Sequence, residues 1–375
     1  MKFSPQQDDA LKAVAQWLQS GDRQLFRLFG YAGTGKTTLA RHFAEHVDGH
    51  VQFAAFTGKA AQVLRAKGAS NAKTIHSLIY RPRGEEAVED ETTGRTSMSP
   101  TFSLNRQSDI AKAKLVIVDE CSMVDENLGR DLMSFGTPIL VLGDPGQLPP
   151  ISGGGFFTEA EPDFLLTEIH RQAAENPIIR LAMDVRAGNE IMYGDYGTTQ
   201  VIAKGDVDAE LVLAADQVLV GINRTRRRYN QRLRELKGFT ASYPQAGDKL
   251  VCLRNDPAKG LLNGSLWKVM TASKETTKPG INLLVSPDDG DTDRGVAKIK
   301  LLKAAFDAPE DDIPWQTKKR YDDFDYGYAL TVHKAQGSQW DDIVLFDESF
   351  AFRDMRSRWL YTGITRAANT LTIVK

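Results

Sequence analysis

The sequence predicts an α/β protein built on two parallel sheets, with a small hairpin and a small β-barrel inserted among their elements. Apolar strand-like runs alternate with helical stretches through the first 165 residues, as in Gln52–Phe56, Leu115–Val118 and Ile139–Leu142. That alternation argues for a parallel sheet with helices on its faces. A second set follows in Gln217–Asn223, Asp342–Glu348 and Leu371–Lys375. Between its first two members, AGDKLVCLRNDPAKGLLNGSLWKVMTA carries short apolar runs separated by Asn-Gly and Asp-Pro turns, the pattern of a small antiparallel barrel.

Composition sets the frame. A chain of 375 residues predicts two or three domains. With 41% hydrophobic and 26% charged residues it reads as a soluble globular protein. No apolar run approaches a membrane span, and MKFSPQQDDALKAVAQWL lacks the apolar core of a signal peptide. Two cysteines, Cys121 and Cys252, are too few for a disulfide framework and fit a reducing compartment. A net charge of −2 means that any nucleic-acid site is a local basic groove.

The first strand, QLFRLFG (Gln24 to Gly30), runs into GYAGTGKTT. There the spacing Gly30-x4-Gly35-Lys36-Thr37 matches a phosphate-binding loop in full. The following KTTLARHFAEHV reads as a helix, with Leu39, Phe43 and Val47 four apart. Strand, glycine loop and helix form the context that motif requires. Gly30, Ala32, Gly33, Thr34, Gly35 and Thr38 are the expected nucleotide-binding residues around Lys36 and Thr37, because loop N–H groups and a helix N-terminus attract phosphate. Lys36 would meet the β- and γ-phosphates, and the Thr37 hydroxyl would hold Mg²⁺.

Further along, KLVIVDECSMV is an apolar strand ending in Asp119 and Glu120. Asp119 is the expected second metal anchor, and Glu120 the general base that polarises the attacking water. The strand PILVLGD (Pro138 to Asp144) runs into PGQLPPI, where Gln147 could sense the γ-phosphate or be only a turn residue. Tyr80 to Asp109 break the alternation; they are polar and aperiodic, and read as an inserted hairpin or a mobile loop. The densest basic stretch, NRTRRRYNQRLRE (Asn223 to Glu235), reads either as a solvated helix face or as part of an electrostatic groove. SPDDGDTDRG (Ser286 to Gly295) reads as an exposed acidic loop.

Taken in order, these stretches resemble the motifs of superfamily 1 helicases. FSPQQ at 3–7 is similar to the glutamine motif, GYAGTGKT to motif I and FTGKAAQVL to motif Ia. TIHSLI is similar to the short DNA-contacting motif that follows. VDECSMV resembles motif II, GDPGQLPPI motif III and LTEIHRQ motif IV. YALTVHKAQGSQWDDI resembles motif V, and LYTGITRA motif VI. The wording TGKAA, TIHSL, QLPPI and TVHKAQG points to the RecD-like branch, which includes small Dda-like enzymes. Three features depart from that branch. Phe56 stands where proline is common, and Gln339 where an acidic residue or threonine is common. The sequence ends almost directly after motif VI, which suggests a minimal motor recruited by partners.

The resemblance implies two RecA-like motor domains. Residues 1–165 would form the first, with 80–109 inserted as a pin. Residues 166–245 and 327–375 would form the second, and 246–326 an inserted SH3-like barrel. It implies an ATP-dependent DNA helicase that moves 5′ to 3′ on single-stranded DNA and hydrolyses ATP with Mg²⁺. The expected substrates are single-stranded DNA and forked or tailed duplex, and the expected partners single-strand-binding or replication proteins. Such a motor would act as a monomer in replication, recombination or repair, in the cytoplasm of a bacterium or a phage-infected host.

The same resemblance assigns side chains. Lys36, Asp119, Glu120, Gln147, Arg171 and Arg366 would form the catalytic set, with the two arginines as fingers from the second motor domain. Gln7 would read the adenine edge; Gln6 is the alternative, and its position in the motif favours Gln7. Gly337 joins the nucleotide-binding residues. Thr57, Lys59, Thr74, His76, Thr331, His333 and Lys334 would grip the DNA backbone, contacts that hold a strand without reading bases. A core or capping role is the alternative for both histidines. Phe102, in the polar insertion, is the expected strand-separating wedge. Trp267, Trp315 and Trp340 are candidates for base stacking or for the core. An RNA helicase or single-strand translocase using the same motor is the nearest alternative function, and a nucleotide-gated binding switch the next.

Overall fold

The structure, a computed structural model, describes residues 3–90, 95–149, 155–169, 175–273, 278–288, 295–307, 313 and 315–375. Pro82–Phe102 and Ile222–Lys334 form one compact unit, and the rest of the described chain forms another. In chain order the strands begin with β1 (Leu25–Gly30), β2 (Val51–Ala55), β3 (Lys73–Thr74), β4 (Tyr80–Asp90) and β5 (Arg95–Leu104). Then come β6 (Leu115–Asp119), β7 (Ile139–Gly143), β8 (Phe164–Leu166), β9 (Gly194–Asp195), β10 (Thr199–Ile202) and β11 (Gln217–Val220). The series continues with β12 (Lys249–Cys252), β13 (Leu266–Ala272), β14 (Gly280–Pro287), β15 (Ala297–Leu302) and β16 (Phe324–Tyr326). It ends with β17 (Ala329–Thr331), β18 (Trp340–Phe346) and β19 (Ala367–Val374).

The larger unit holds two sheets. In the first the order is β3-β2-β6-β7-β1-β8, with every pairing parallel. Leu115 and Ile117 of β6 join the core on one face, and Val116 and Val118 the core on the other. β7 splits the same way, Leu140 and Leu142 against Ile139 and Val141. A strand covered on both faces needs a continuous apolar run, which is why these two read so clearly in the sequence. Each such side chain contributes about 1.5–3 kcal/mol of burial before entropy is counted.

The helices Pro5–Ser20 and Lys36–Glu45 cover one face through Trp17 and Leu39. Ile75–Ile79 and Glu126–Met133 cover the other through Ile75, Ile79, Leu128 and Leu132. Helix Pro5–Ser20 starts on a reciprocal capping box between Ser4 and Gln7. Because the strands are parallel, the C-terminal ends of β1, β2, β6 and β7 share one edge, the usual seat of a ligand in such sheets. The second sheet of this unit contains β11, β18, β19 and β10 in parallel, with β9 antiparallel at its margin.

The smaller unit holds the β4–β5 pair and an antiparallel sheet ordered β15-β14-β13-β12-β16. Its two margins meet beyond the strands: Asp322 N–H donates to the Lys300 carbonyl at 2.8 Å, and Lys300 N–H donates to Asp322 Oδ2 at 2.8 Å. The sheet therefore curls toward a barrel. Trp267 is fully buried, with Nε1 donating to Ser265 Oγ at 2.8 Å. That makes it a core residue and removes it from the base-stacking candidates. The side chain of Trp315 lies outside the described residues, and Trp340 is half-buried. Of the acidic stretch Ser286–Gly295, residues 289–294 lie outside the described residues.

The basic stretch forms the helix Asn223–Leu236. Two of its arginines are neither solvated nor free to line a groove. Arg226 is buried against Asp325 at 2.5 Å. Arg234 is buried and makes a two-pronged pair with Asp248 at 2.8 and 2.9 Å. Asp248 also accepts from Tyr328 Oη at 2.9 Å and from the Gln245 N–H at 2.8 Å. Asn230 on the same helix pins β17, donating to the Ala329 carbonyl at 3.0 Å and accepting from its N–H at 2.8 Å. Arg224, Arg227, Arg228 and Arg232 remain exposed. Among the described residues no helix is long and apolar enough to cross a membrane.

Candidate nucleotide site

The loop after β1 is shaped by its glycines. Gly33 and Gly35 have φ of 79° and 80°, left-handed values that a side chain would strain. The turn they make lets helix Lys36–Glu45 begin with its N-terminus on the loop, where unpaired N–H groups favour an anion. Lys36 Nζ donates to the Gly30 carbonyl at 2.6 Å and the Tyr31 carbonyl at 3.0 Å. Its ammonium thus lies over the loop, where a phosphate chain would sit. Thr34 is fully buried, and its hydroxyl donates to the Tyr31 carbonyl at 2.8 Å.

β6 delivers the acids. Thr37 Oγ1 donates to Asp119 Oδ2 at 2.9 Å, so the two expected metal anchors are adjacent. Hydroxyl and carboxylate oxygens at a loop-to-helix junction fit a hard divalent cation such as Mg²⁺. Burial raises the Asp119 pKa, and the neighbouring Glu120 charge adds to that rise, while the Thr37 bond and Lys36 oppose it. Glu120 has φ 52° and ψ 47°, a left-handed conformation uncommon for a residue with a side chain. Its N–H is held by Asp119 Oδ1 at 2.8 Å. The chain turns sharply at the strand end, and the Glu120 carboxylate enters the cavity.

Across that carboxylate stands Arg366, with Nη1 3.9 Å from Glu120 Oε1. Arg366 is only 5% exposed, so its donors need partners. Nε donates to the Thr362 carbonyl at 3.1 Å, Nη1 to the Ser338 carbonyl at 3.3 Å and Nη2 to Thr365 Oγ1 at 3.2 Å. Gln147 lies between the Glu120 carboxylate and the Arg366 guanidinium. With its amide oriented to match its neighbours, its nitrogen donates to Glu120 Oε2 at 3.1 Å and its oxygen accepts from Arg366 Nη2 at 3.3 Å. A cavity of about 210 Å³ is lined by Lys36, Thr37, Asp119, Glu120, Gln147 and Arg366. Gly337, which also lines it, has φ 74°, and a Cβ there would fall 3.0 Å from Ala60 Cβ.

Several other expected residues already have partners within the protein. Arg171 lies outside the described residues. Gln7 is buried: Nε2 donates to the Thr34 carbonyl at 3.0 Å and Oε1 accepts from the Ser4 N–H at 3.1 Å. Gln6 Oε1 accepts from the N–H groups of Thr167 and Glu168 at 2.9 and 2.8 Å. Both glutamine amides are thus engaged within the protein. Thr57 and Thr74 cap helices Gly58–Ala66 and Ile75–Ile79. Lys59 is buried, and His76 keeps an exposed edge. Partial burial of the His76 ring lowers its pKa, with Asp125 pulling the other way; burial lowers that of His333 as well. Thr57, Lys59, Thr74 and His76 belong to the larger unit, and Phe102, Thr331, His333 and Lys334 to the smaller. Phe102 is 48% exposed, unusual for a phenylalanine.

Sequence reasoning passed over Asp144 and Tyr361. Tyr361 Oη donates to Asp144 Oδ2 at 2.7 Å and accepts from the Ala32 N–H at 2.9 Å. Both are buried, and burial raises both pKa values. A lone tyrosine beside Trp359 and Leu360 reads as core, so no local signal singled it out. Arg186 makes a cation–π contact with the loop, its guanidinium 3.6 Å from the centre of the Tyr31 ring.

Comparison with known proteins sets the geometry in a family. Residues 2–209 match the AAA domain, and residues 326–374 the UvrD-like helicase C-terminal domain. The chain is 30% identical over 381 residues to the ATP-dependent RecD2 DNA helicase of Deinococcus radiodurans, an alignment covering 93% of this chain and 46% of that protein. It therefore spans about half the length of that relative. It is 26% identical over 415 residues to the ATP-dependent DNA helicase dda of Enterobacteria phage T4, covering 90% of this chain and 91% of that one. Among solved structures, the Pif1 helicase from Bacteroides in complex with ADP-AlF3 and ssDNA superimposes with a TM-score of 0.56. That match has 18% identity and covers 100% of this chain and 92% of the other; at that identity the likeness is one of fold. The chain belongs to the AAA domain family, as a RecD-like member of helicase superfamily 1.

Proposed function

We propose that the chain is an ATP-dependent DNA helicase that translocates 5′ to 3′ on single-stranded DNA and unwinds duplex as it hydrolyses ATP. One observation carries this reading: Lys36, Thr37, Asp119, Glu120, Gln147 and Arg366 line a single cavity, with Arg366 3.9 Å from Glu120. A loop lysine, two metal anchors, a base and a finger are the parts phosphoryl transfer needs. The named activities of the RecD2 and dda relatives and the ADP-AlF3 and ssDNA bound to the Bacteroides Pif1 support it.

In this reading Lys36 meets the β- and γ-phosphates, and Thr37 and Asp119 hold Mg²⁺, which would neutralise phosphate charge when bound. Glu120 takes the proton from the attacking water, Gln147 reports the γ-phosphate, and Arg366 stabilises the charge of the transition state. Arg171 is the second finger. Gln7 reads the adenine after exchanging one of its internal hydrogen bonds. Thr57, Lys59, Thr74, His76, Thr331, His333 and Lys334 hold the strand by its backbone, and Phe102 at the hairpin splits the duplex. The motor domains are 1–165, and 166–245 with 327–375; 246–326 steadies the strand.

A strand-displacement assay on 5′-tailed and 3′-tailed duplexes, in DNA and in RNA, with and without ATP, tests the whole proposal. ATP-dependent unwinding of 5′-tailed DNA alone is expected. Unwinding from the 3′ tail would overturn the polarity, and equal activity on RNA would overturn the substrate class. ATP turnover stimulated by single strands without strand separation would make the protein a translocase.

A further inference from the structure

Tyr361 has no part in that reaction scheme. It lies in the helix Arg356–Ile364 and is fully buried. Its hydroxyl joins that helix to two other segments, accepting from Ala32 N–H in the phosphate loop and donating to Asp144 after β7. Asp144 Oδ1 in turn accepts from the Gly146 N–H at 2.9 Å. A second tie follows at the next residue, where Thr362 Oγ1 accepts from the Leu148 N–H at 2.9 Å. The Leu148 carbonyl accepts from Gln336 Nε2 at 2.9 Å. Apolar packing alone would need only the ring. A buried hydroxyl with donor and acceptor both satisfied fixes direction as well as depth.

Arg366 follows just past the end of this helix and donates to the carbonyl of Thr362 itself. We propose that Tyr361 is a positioning residue, tying the helix that leads to Arg366 onto the phosphate loop so that the guanidinium is held at Glu120. This rests on the ATP-hydrolysis reading above. The fixed ends are close: Ala32, Asp144 and Arg366 line the same cavity. A displacement of about 1 Å at such a site lowers rate by roughly 100-fold, so one hydrogen bond at the base of the finger has leverage on turnover.

Tyr361→Phe keeps the ring and removes the hydroxyl. In the full chain we expect kcat for DNA-stimulated ATP hydrolysis to fall by about tenfold or more. ADP affinity should stay within about twofold, while affinity for ADP–aluminium fluoride falls in step with kcat. In an Arg366→Ala background, Tyr361→Phe should change nothing further, because the group it positions is gone. Thr362→Val, which removes the neighbouring tie, should repeat the pattern and carries the test should Tyr361→Phe not fold. An additive loss in the double variant, an unchanged kcat, or equal weakening of ADP and its aluminium fluoride complex would overturn the inference. Lys36→Ala separates the two levels: intact hydrolysis there overturns the ATP reading itself, whereas its loss beside a normal Tyr361→Phe overturns only the positioning role.

Discussion

Arg366 Nη1 and Glu120 Oε1 stand 3.9 Å apart at one cavity, although 246 positions separate them in the chain. An arginine so buried is held by carbonyls and hydroxyls of its own neighbourhood and faces a carboxylate placed by a left-handed turn. Arg366→Ala is therefore expected to lower kcat for ATP hydrolysis by about 10³-fold, with little change in ADP affinity. Steady-state kinetics beside ADP titration would check it. A loss confined to nucleotide affinity would argue against a finger.

Lys36→Ala removes the ammonium that lies over the loop carbonyls. Turnover is expected to drop by more than about 100-fold, while single-stranded DNA binding, followed by fluorescence anisotropy, persists. Preserved turnover would reject the phosphate-loop assignment.

Glu120→Gln keeps size and most hydrogen bonding at the Gln147 contact. Loss of a general base lowers rate by about 10²–10⁴-fold, so the variant should accumulate bound, unhydrolysed ATP. Filter binding with labelled nucleotide, followed by product analysis, separates binding from cleavage.

Phe102→Ala removes an exposed ring at the end of the β4–β5 pair. Duplex unwinding should fall while translocation, measured by displacement of streptavidin from a biotinylated single strand, is spared. Equal loss of both, or of neither, would move the wedge elsewhere.

Asp248→Ala leaves the buried Arg234 guanidinium without its carboxylate. Breaking one side of such a pair destabilises by about 3–5 kcal/mol. Chemical denaturation should show this loss in the smaller unit, and replacing both partners with apolar residues should recover much of it.

Legibility followed burial and spacing. β6 and β7 were plain in the sequence because both faces are covered, so Leu115–Val118 and Ile139–Leu142 had to be apolar. The phosphate loop was plain because its glycines answer to a backbone demand written at fixed offsets. β3, β9 and β17, two or three residues each, left no periodicity to read. The basic run Asn223–Glu235 was legible only in part: Arg224, Arg227, Arg228 and Arg232 are exposed, but Arg226 and Arg234 are buried by acids 99 and 14 positions away. Trp267 had several chemically sensible uses, and only its neighbours chose among them.

By itself the sequence determined the elements whose cause is local: the apolar strands, the glycine loop, the acids at a strand end and the order of the motifs. The tertiary structure alone decided which distant groups share a cavity, how Glu120 is turned, and that Tyr361 reaches Ala32. Local rules act through backbone sterics and side-chain periodicity over a few residues. A hydrogen bond between residues 329 positions apart depends on every packed layer between them, and no short window of sequence carries that information.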